Sequence, residues 1–193
     1  MSEMRCLQPP TGRAAEAAAA ARRVVPERET ARLRLRAPRV EDCPLWTEIW
    51  QGADHISGLT DEHGWEEFCV YVAGWPIHGH GLWSVELKET GAHIGFVLLG
   101  VEWEDDAPEI GWAFAPDMRN RGFATEAAEA ARDYAMELLG PGVVVSYIAK
   151  TNAASARVAE KIGARRLANF DETTRVYGHG AGPHGTSQKD LTE

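Results

Sequence analysis

Cysteine is scarce in this sequence, and long hydrophobic runs are missing. Cys6, Cys43 and Cys69 are the only three cysteines among 193 residues, and none forms a Cys-x-x-Cys pair. An odd number of scattered cysteines argues against a disulfide framework and favours free thiols in a reducing compartment. No apolar run approaches the ~20 residues of a transmembrane helix, and no apolar core of a secretory signal is evident. We therefore expect a cytoplasmic protein that has no membrane partner.

Basic charge is also in short supply. Lys and Arg number 20 against 29 Asp and Glu, which gives a formal net charge of −9. This balance argues against direct nucleic-acid binding, which needs a basic surface. It suits an amine or cationic peptide as substrate, and it is equally typical of a charge that serves solubility. His78 and His80 lie close together without a third candidate ligand, so we expect no metal and interpret them as polar residues of a loop.

The length predicts one domain with short extensions. Residues 1–29 include the Ala-rich segment Ala14–Ala21, which is too short for a helix that persists without packing. We interpret residues 1–29 as a disordered N-terminal extension, with a targeting helix as the alternative. Residues 30–177 form the predicted domain. Residues 178–193 are rich in Gly, His, Pro and Ser and are expected to be a disordered tail.

Hydrophobic periodicity within the domain alternates between strand-like and helix-like segments, which predicts an α/β fold. The predicted helices are Glu41–Gln51, Trp65–Gly74, Phe123–Leu139 and Ala153–Ile162. The predicted strands are Thr30–Arg36, Leu82–Lys88, Ile94–Gly100, Glu109–Phe114, Val143–Lys150, Arg165–Ala168 and Glu172–Tyr177. Thr30–Arg36 alternates apolar and basic residues and is expected at a sheet edge, and Trp75–Gly81 is expected to be a glycine-rich turn.

The stretch from Pro108 to Ala127 organises the chain as strand, turn and helix. Pro116 ends the strand because proline cannot donate to a β-ladder. Arg119 to Gly122 then form a short basic loop at the start of a long Ala- and Glu-rich helix. Backbone N–H groups at such a helix start converge on one point, at the positive end of the helix dipole. The stretch predicts a site for a phosphate or diphosphate. A triphosphate site is disfavoured because there is no Gly-x-x-x-x-Gly-Lys-Ser/Thr motif and no lysine in the loop.

Two blocks of this sequence resemble the GNAT superfamily of acyl-CoA-dependent N-acetyltransferases. Arg119-x-x-Gly122-x-Ala124 matches the signature Arg/Gln-x-x-Gly-x-Gly/Ala, and Thr151–Ala164 is similar to the family's asparagine-led helix after its fifth strand. The resemblance extends from about Thr30 to Tyr177 and is strongest to the branch with the ribosomal-protein alanine N-acetyltransferases. It implies a mixed, twisted, mostly antiparallel sheet of about seven strands flanked by helices, with a splayed strand pair that holds the acyl-CoA. It also implies acetyl-CoA as cosubstrate and allows a homodimer.

The resemblance also indicates how acetyl-CoA would be held. Loop amides from Arg119 to Ala124 would bind the diphosphate, and the end of the strand Glu109–Phe114 would splay from the next strand near Ser146–Ala149 to admit the pantetheine arm. A backbone N–H near Phe114 would polarise the thioester carbonyl. The predicted cofactor-binding residues are Trp112, Phe114, Arg119, Arg121, Gly122, Phe123, Ala124, Thr125, Asn152 and Ser155.

Two side chains are the candidate catalytic residues. Glu109 opens the organising strand and would accept the amine proton, unless it is an ordinary strand-start acid paired with a base; Glu104 and Asp106 are reserves. Many family members have a tyrosine near the sulfur, where this chain has Ala159. Ser155 lies one turn earlier and would protonate the thiolate, unless it is a plain helix residue. Asn152 has a cap-like place before the helix and would also contact the pantetheine arm.

The acceptor side of the predicted site is less defined. Helices Glu41–Gln51 and Trp65–Gly74, with the Asp54–Gly64 loop between them, would wall it. Trp46 is expected in the core, whereas Trp50 and Trp65 fit either a core or a substrate wall. Glu102, Glu104, Asp105 and Asp106 form either a charged loop or an acidic lip that attracts a protonated amine. A protein N-terminus, another peptide, a polyamine and a small amine all remain open as acceptors, and a non-catalytic acyl-CoA sensor is the alternative function.

Overall fold

The computed structural model describes residues 4–52, 58–103 and 105–180. In chain order, the helices and strands of these ranges are α1 (Gly12–Ala21), β1 (Arg28–Glu29), β2 (Leu33–Arg36), α2 (Cys43–Gln51), α3 (Asp61–His78), β3 (Leu82–Leu87), β4 (His93–Gly100), β5 (Glu109–Phe114), α4 (Phe123–Leu139), β6 (Val144–Ala149), α5 (Ala153–Lys161), β7 (Arg165–Asn169) and β8 (Thr174–His179). None of the helices in these ranges has both the length and the apolar character needed to cross a bilayer.

The strands form one open sheet in the order β1-β2-β3-β4-β5-β6-β8-β7. Neighbouring strands are antiparallel except β5 and β6, which are parallel because helix α4 carries the chain across between them. The mixed, mostly antiparallel sheet that we predicted is confirmed. The additional strand is β1, which pairs with β2 and so displaces β2 from the predicted edge position.

The parallel pair β5–β6 separates soon after it begins. The backbones of the two strands pair at Glu109 and Val145. Beyond this point β5 continues to Phe114 alongside β4 and β6 continues to Ala149 alongside β8. A gap therefore opens in the middle of the sheet, between the C-terminal ends of the two strands.

Helices cover both faces of the sheet, and the alternation of side chains along β4 shows this clearly. Phe96 and Leu98 pack against residues of α2 and α3, such as Trp46. Val97 and Leu99 point to the opposite face, where the small residues of α4 pack closely. Full burial of one such side chain contributes roughly 1.5–3 kcal/mol. Because both faces of β4 are covered, its side chains are apolar and buried along almost the whole strand.

Helix α3 is longer than predicted at both ends. It begins at Asp61, where the Thr60 hydroxyl accepts a hydrogen bond from the His63 N–H, and it ends at His78, before Gly79 in the left-handed conformation (φ 77°). The predicted turn Trp75–Gly81 is therefore wrong at its start, because Pro76 is accommodated in the last turn of the helix. His80 is buried and bonds to the Leu99 carbonyl at 2.7 Å, so it is not a solvated loop residue.

The segments outside the predicted domain contain regular structure in their described parts. Helix α1 lies within the predicted N-terminal extension and has no buried residues. Leu7 nevertheless packs against the apolar cluster around α2. At the other end, β8 extends to His179, two residues beyond the predicted boundary at Tyr177. Residues 181–193 of the predicted tail, residues 54–57 of the predicted Asp54–Gly64 loop and Glu104 lie outside the described residues.

Candidate active site

A cavity of about 1180 Å³ extends from the loop before α4, along the β5–β6 gap, to the aromatic side chains of α2 and α3. Nearly all of the predicted site residues line it. These are Glu109, Trp112, Phe114, Arg119, Gly122, Phe123, Ala124, Thr125, Asn152 and Ser155. Arg121 is the exception, because it is not among the described residues that line the cavity.

The loop end of the cavity has the backbone geometry of an anion site. Asn120 (φ 59°) and Gly122 (φ 81°) both adopt the left-handed conformation, which turns the chain sharply before α4 begins at Phe123. Most helices have a polar side chain at the N-cap that satisfies one of the first N–H groups. Here the N-cap is Gly122, which has no side chain. The first amides of α4 therefore remain available to a bound anion.

The two arginines of the loop lie in different environments. Arg119 donates from Nε to the Phe114 carbonyl at 3.2 Å, so its guanidinium lies beside the end of β5. The guanidinium of Arg121 lies 5.0 Å from the centre of the Phe123 ring and contacts Met118 Sδ. Arg119 is thus part of the cavity, whereas Arg121 lies on the exposed outer side of the loop.

The edge of β5 that faces the gap presents its peptide groups to the cavity. Peptide groups alternate in direction along a strand. The Ala115 N–H donates to Ile94 of β4, so the N–H of Phe114 points the other way, into the gap. The carbonyl of Ile110 also faces the gap and accepts a hydrogen bond from Ser146 Oγ at 2.5 Å. By the same alternation, the N–H of Trp112 faces the gap.

Ser146 and His179 form a buried pair that sequence reasoning missed. Because the Ser146 hydroxyl donates to Ile110, Nε2 of His179 donates to Ser146 Oγ, at 2.9 Å. Burial, followed by the nearby charge of Arg132, lowers the pKa of His179 to about 4, so the ring is neutral at neutral pH. The Ser146 hydroxyl thus donates to the Ile110 carbonyl in place of a backbone N–H of β6, at the point where β5 and β6 diverge.

Glu109 lies at this same point. Ala113 packs in the cluster with α2 and α3, and strand alternation places Glu109 on that same face of β5. Burial, followed by the charges of Glu102 and Asp105, raises the pKa of Glu109 to about 8, although a hydrogen bond from the Tyr147 N–H opposes the shift. Its carboxyl group therefore has a proton affinity suited to accepting a proton near neutral pH.

The acidic residues of the β4–β5 loop divide between the cavity and the surface. Glu102 and Asp105 line the cavity, and Glu102 accepts a hydrogen bond from the Tyr71 hydroxyl. Asp106 is exposed and is not among the described lining residues, which leaves Glu109 as the better-placed candidate base. Tyr71 was not recognised from the sequence, since its partner lies 31 residues away.

Helix α5 brings Ser155 and Asn152 to the other wall. The Asn152 side-chain oxygen accepts the Ser155 N–H at 3.0 Å, so Asn152 caps the helix as its position suggested. Ser155 is half-buried and lines the cavity. Ala159 is fully buried against Ile148 and Tyr177 in the core, so the face of α5 that reaches the cavity is that of Ser155.

Aromatic and apolar side chains form the acceptor end of the cavity. Trp46 is buried and meets Trp50 edge to face, with ring centroids 5.4 Å apart. Both line the cavity together with Tyr71, Phe96 and Leu98. Trp65 packs against the same cluster without being among the described lining residues. Trp50 therefore belongs to the wall, and Trp65 to the packing behind it.

The described ranges contain no group of three or more His, Cys, Asp or Glu side chains able to hold a metal ion. Two arginines in these ranges line the cavity, Arg119 near the loop and Arg157 on α5.

Comparisons with known proteins bear on the family and the fold. The profile of the GNAT acetyltransferase domain matches residues 32–165. A Bacillus subtilis (strain 168) protein named as the uncharacterized N-acetyltransferase YnaD is 33% identical over 86 residues, which span 45% of this chain and 51% of that protein. The crystal structure of an acetyltransferase from Agrobacterium tumefaciens strain C58 is 33% identical, with a TM-score of 0.73 over 80% of this chain and 94% of its own.

A further solved structure shares the fold at lower identity. Mycobacterium smegmatis RimJ, in complex with a CoA disulfide, is 19% identical and superposes with a TM-score of 0.59 over 80% of this chain and 85% of its own. These comparisons confirm the resemblance and the fold that the two sequence blocks indicated.

Proposed function

This chain belongs to the GNAT acetyltransferase family, and from that premise we propose that it transfers an acetyl group from acetyl-CoA to a primary amine. The observation that supports this most is the layout of the cavity along the β5–β6 gap. An anion-binding loop lies at one end, the open edge of β5 lies in the middle, and a carboxyl group with a raised pKa lies on the acceptor side. These are the parts that thioester aminolysis requires, in the order in which the reactants would meet them.

The cofactor would be held by its diphosphate and by its pantetheine arm. Free amides at the start of α4, together with Arg119, bind the diphosphate through charge-assisted hydrogen bonds. The pantetheine arm enters the β5–β6 gap and bonds to the exposed peptide groups of β5 as an added strand would. Asn152 uses its oxygen as a helix cap, which leaves its NH₂ group for the arm.

The chemical step is a direct attack of the amine on the thioester. The Phe114 N–H donates to the carbonyl oxygen and stabilises the negative charge that develops there. The amine nitrogen forms the new C–N bond and passes a proton to Glu109, directly or through a water. The C–S bond then breaks, and the departing thiolate takes a proton from the Ser155 hydroxyl, which regains one from solvent.

The acceptor is proposed to be a primary amine of a protein N-terminus or of a small molecule. Glu102 and Asp105 lie beside Glu109, and their charges favour an incoming cation. The walls of Trp46, Trp50 and Tyr71 fit an apolar or aromatic group next to the reactive nitrogen. A cytoplasmic location belongs to the same proposal.

The test is release of free thiol from acetyl-CoA in the presence of a panel of amines. The panel contains peptides with different N-terminal residues, polyamines and aromatic amines, and each product is identified by its mass gain of one acetyl group. The proposal predicts turnover with at least one member at a rate well above hydrolysis. Binding of CoA without turnover of any amine would favour the non-catalytic sensor instead, and absence of CoA binding would contradict both functions.

A further inference from the structure

Arg32 lies against the loop before α4, although 89 residues separate it from its partner there. Its Nη1 donates to the Arg121 carbonyl at 3.0 Å. Its guanidinium lies 4.5 Å from the centre of the Phe123 ring. A Cβ atom built on Gly122 would lie 3.3 Å from its Nη2. Arg32 therefore contacts the three consecutive residues at which the loop becomes a helix.

Glu126, in the first turn of α4, fixes the position of Arg32. Its carboxylate accepts hydrogen bonds from Arg32 Nε at 2.6 Å, from the Arg32 N–H at 2.8 Å and from the Thr30 hydroxyl at 2.5 Å. Burial opposes the charge of Glu126, but the hydrogen bonds from Thr30 and Arg32 lower its pKa overall, so it remains ionised. Without the paired guanidinium, this carboxylate would repel an anion bound at the same helix end.

The bond to Arg121 also orients a neighbouring amide. In a trans peptide the C=O and N–H groups point in opposite directions. Because the Arg121 carbonyl points at Arg32, the N–H of Gly122 points away from Arg32. Gly122 lines the cavity, so its N–H is available on that side.

We propose that Arg32 is a positioning residue for the cofactor, because it holds the Arg121–Gly122 peptide with the Gly122 N–H directed at the diphosphate of acetyl-CoA. This inference rests on the proposed function. Arg32 also offsets the charge of Glu126, so that the start of α4 remains attractive to a phosphate. No local signal in the sequence indicates this role, since Arg32 precedes β2 and is one of several basic residues that alternate with apolar ones.

Calorimetric titration of R32A with CoA and with dephospho-CoA tests this role. Both ligands contain the diphosphate, and only CoA has the 3′-phosphate. Loss of one oriented hydrogen bond to a charged group corresponds to roughly a tenfold loss of affinity. We expect R32A to lower the affinity for both ligands by about this factor, and by the same factor for each.

R34A is the matched control. Arg34 has the same side-chain exposure as Arg32, 48%, and also pairs with a glutamate, but its partner Glu29 lies in β1. We expect R34A to bind both ligands with the affinity of the wild type. R32K separates geometry from charge, because an ammonium group pairs with Glu126 but lacks the planar fork that also reaches the Arg121 carbonyl. We expect R32K to lose nearly as much affinity for both ligands as R32A.

Three results would overturn the positioning role. The first is an affinity of R32A for both ligands that equals that of the wild type. The second is a loss of affinity for CoA alone, which would indicate that Arg32 contacts the 3′-phosphate directly. The third is wild-type affinity in R32K, which would indicate that only the positive charge of Arg32 matters. If R32A does not fold, R32K decides the question, with the Gly122 amide resonance as a second readout: its shift on adding CoA is expected to shrink. A wild type that binds neither ligand would instead contradict the proposed function itself.

Discussion

Glu109 has a proton affinity that depends on its surroundings more than on its residue type. Burial raises the pKa of Glu109 from its ordinary value of 4.5 to about 8, with Glu102 and Asp105 adding to the effect. At pH 7 most of this carboxyl group is therefore protonated, and in the proposed mechanism only its ionised form would accept a proton from the amine. The rate at low acceptor concentration should rise with pH through about 8.

Replacing Glu109 by glutamine tests this assignment. E109Q is expected to lower kcat/KM by about 10²–10³-fold and to abolish the rise of rate centred near pH 8. The measurement is a pH–rate profile from thiol release. E102Q is the companion variant: it removes a neighbouring negative charge, so the pKa of Glu109 should fall and the midpoint should move to lower pH. A profile of E109Q that matches the wild type would rule out Glu109 as the base.

Ser155, which we also predicted among the cofactor-binding residues, is expected to contribute more to protonating the leaving group than to holding CoA. S155A should lower kcat by about tenfold or more, because general-acid assistance is lost, while the Kd of CoA stays within about twofold. Single-turnover rates and calorimetry measure the two effects separately. S155T retains the hydroxyl and should keep much of the rate. An S155A variant with unchanged kcat would show that Ser155 is only a helix residue.

At the scale of elements, the divergence of β5 and β6 depends on side chains that replace ladder hydrogen bonds. Ser146 Oγ satisfies the Ile110 carbonyl and is in turn held by His179. S146A leaves the carbonyl and the buried imidazole N–H without these partners. We expect it to reduce the free energy of unfolding by about 1–3 kcal/mol, measured by urea denaturation. S146T keeps the hydroxyl and serves as control; equal stability of S146A and wild type would contradict this role.

Elements whose ends are marked by proline or glycine could be predicted from the sequence. The bounds of β5 and α4 match the predicted Glu109–Phe114 and Phe123–Leu139, because Pro116, Gly122 and Gly140 mark their ends. Helix α3 was predicted too short because Pro76 and the following glycines are typical of a turn. Its packing overrides that local preference: Trp75 is buried in the core and donates to the Leu82 carbonyl at 2.8 Å.

Contacts between distant segments could not be predicted in the same way. The loop Arg119–Gly122 could be proposed as an anion site from the sequence because its residues are consecutive. Arg32 and Glu126 are 94 residues apart, and Ser146 and His179 are 33 apart. Such pairs have no periodicity or spacing that indicates contact, so they become visible only when the sheet order places them together.

At the scale of the whole molecule, a buried charge network connects β2 and β3 to Asp42, which immediately precedes α2. The Asp42 carboxylate accepts two bonds from Arg36, at 2.7 and 2.9 Å, and one from Ser84 at 2.7 Å. Arg36 also bonds Glu86 at 2.5 Å. Strand alternation puts Arg36 on the same face as the exposed Arg34, yet the structure buries Arg36.

Removing Asp42 should destabilise the fold without changing the site. D42A leaves a buried guanidinium with one carboxylate partner, and we expect a loss of about 3–5 kcal/mol in the free energy of unfolding. Chemical denaturation measures it, and the CoA affinity of the folded fraction should remain that of the wild type. A loss below about 1 kcal/mol would show that the network contributes little. R34A, which removes a largely exposed pair, should cost less than about 1 kcal/mol.

We propose that acetyl-CoA binds with its diphosphate on the amides before α4 and its thioester in the β5–β6 gap. A crystal structure of the complex with CoA tests it most directly, through the position of the sulfur atom. We predict the diphosphate on the amides of residues 119–124 and the sulfur between β5 and α5, within about 4 Å of a β5 peptide N–H or Ser155 Oγ. A well-ordered CoA whose diphosphate lies on another surface, or whose sulfur lies outside the gap, would contradict the account.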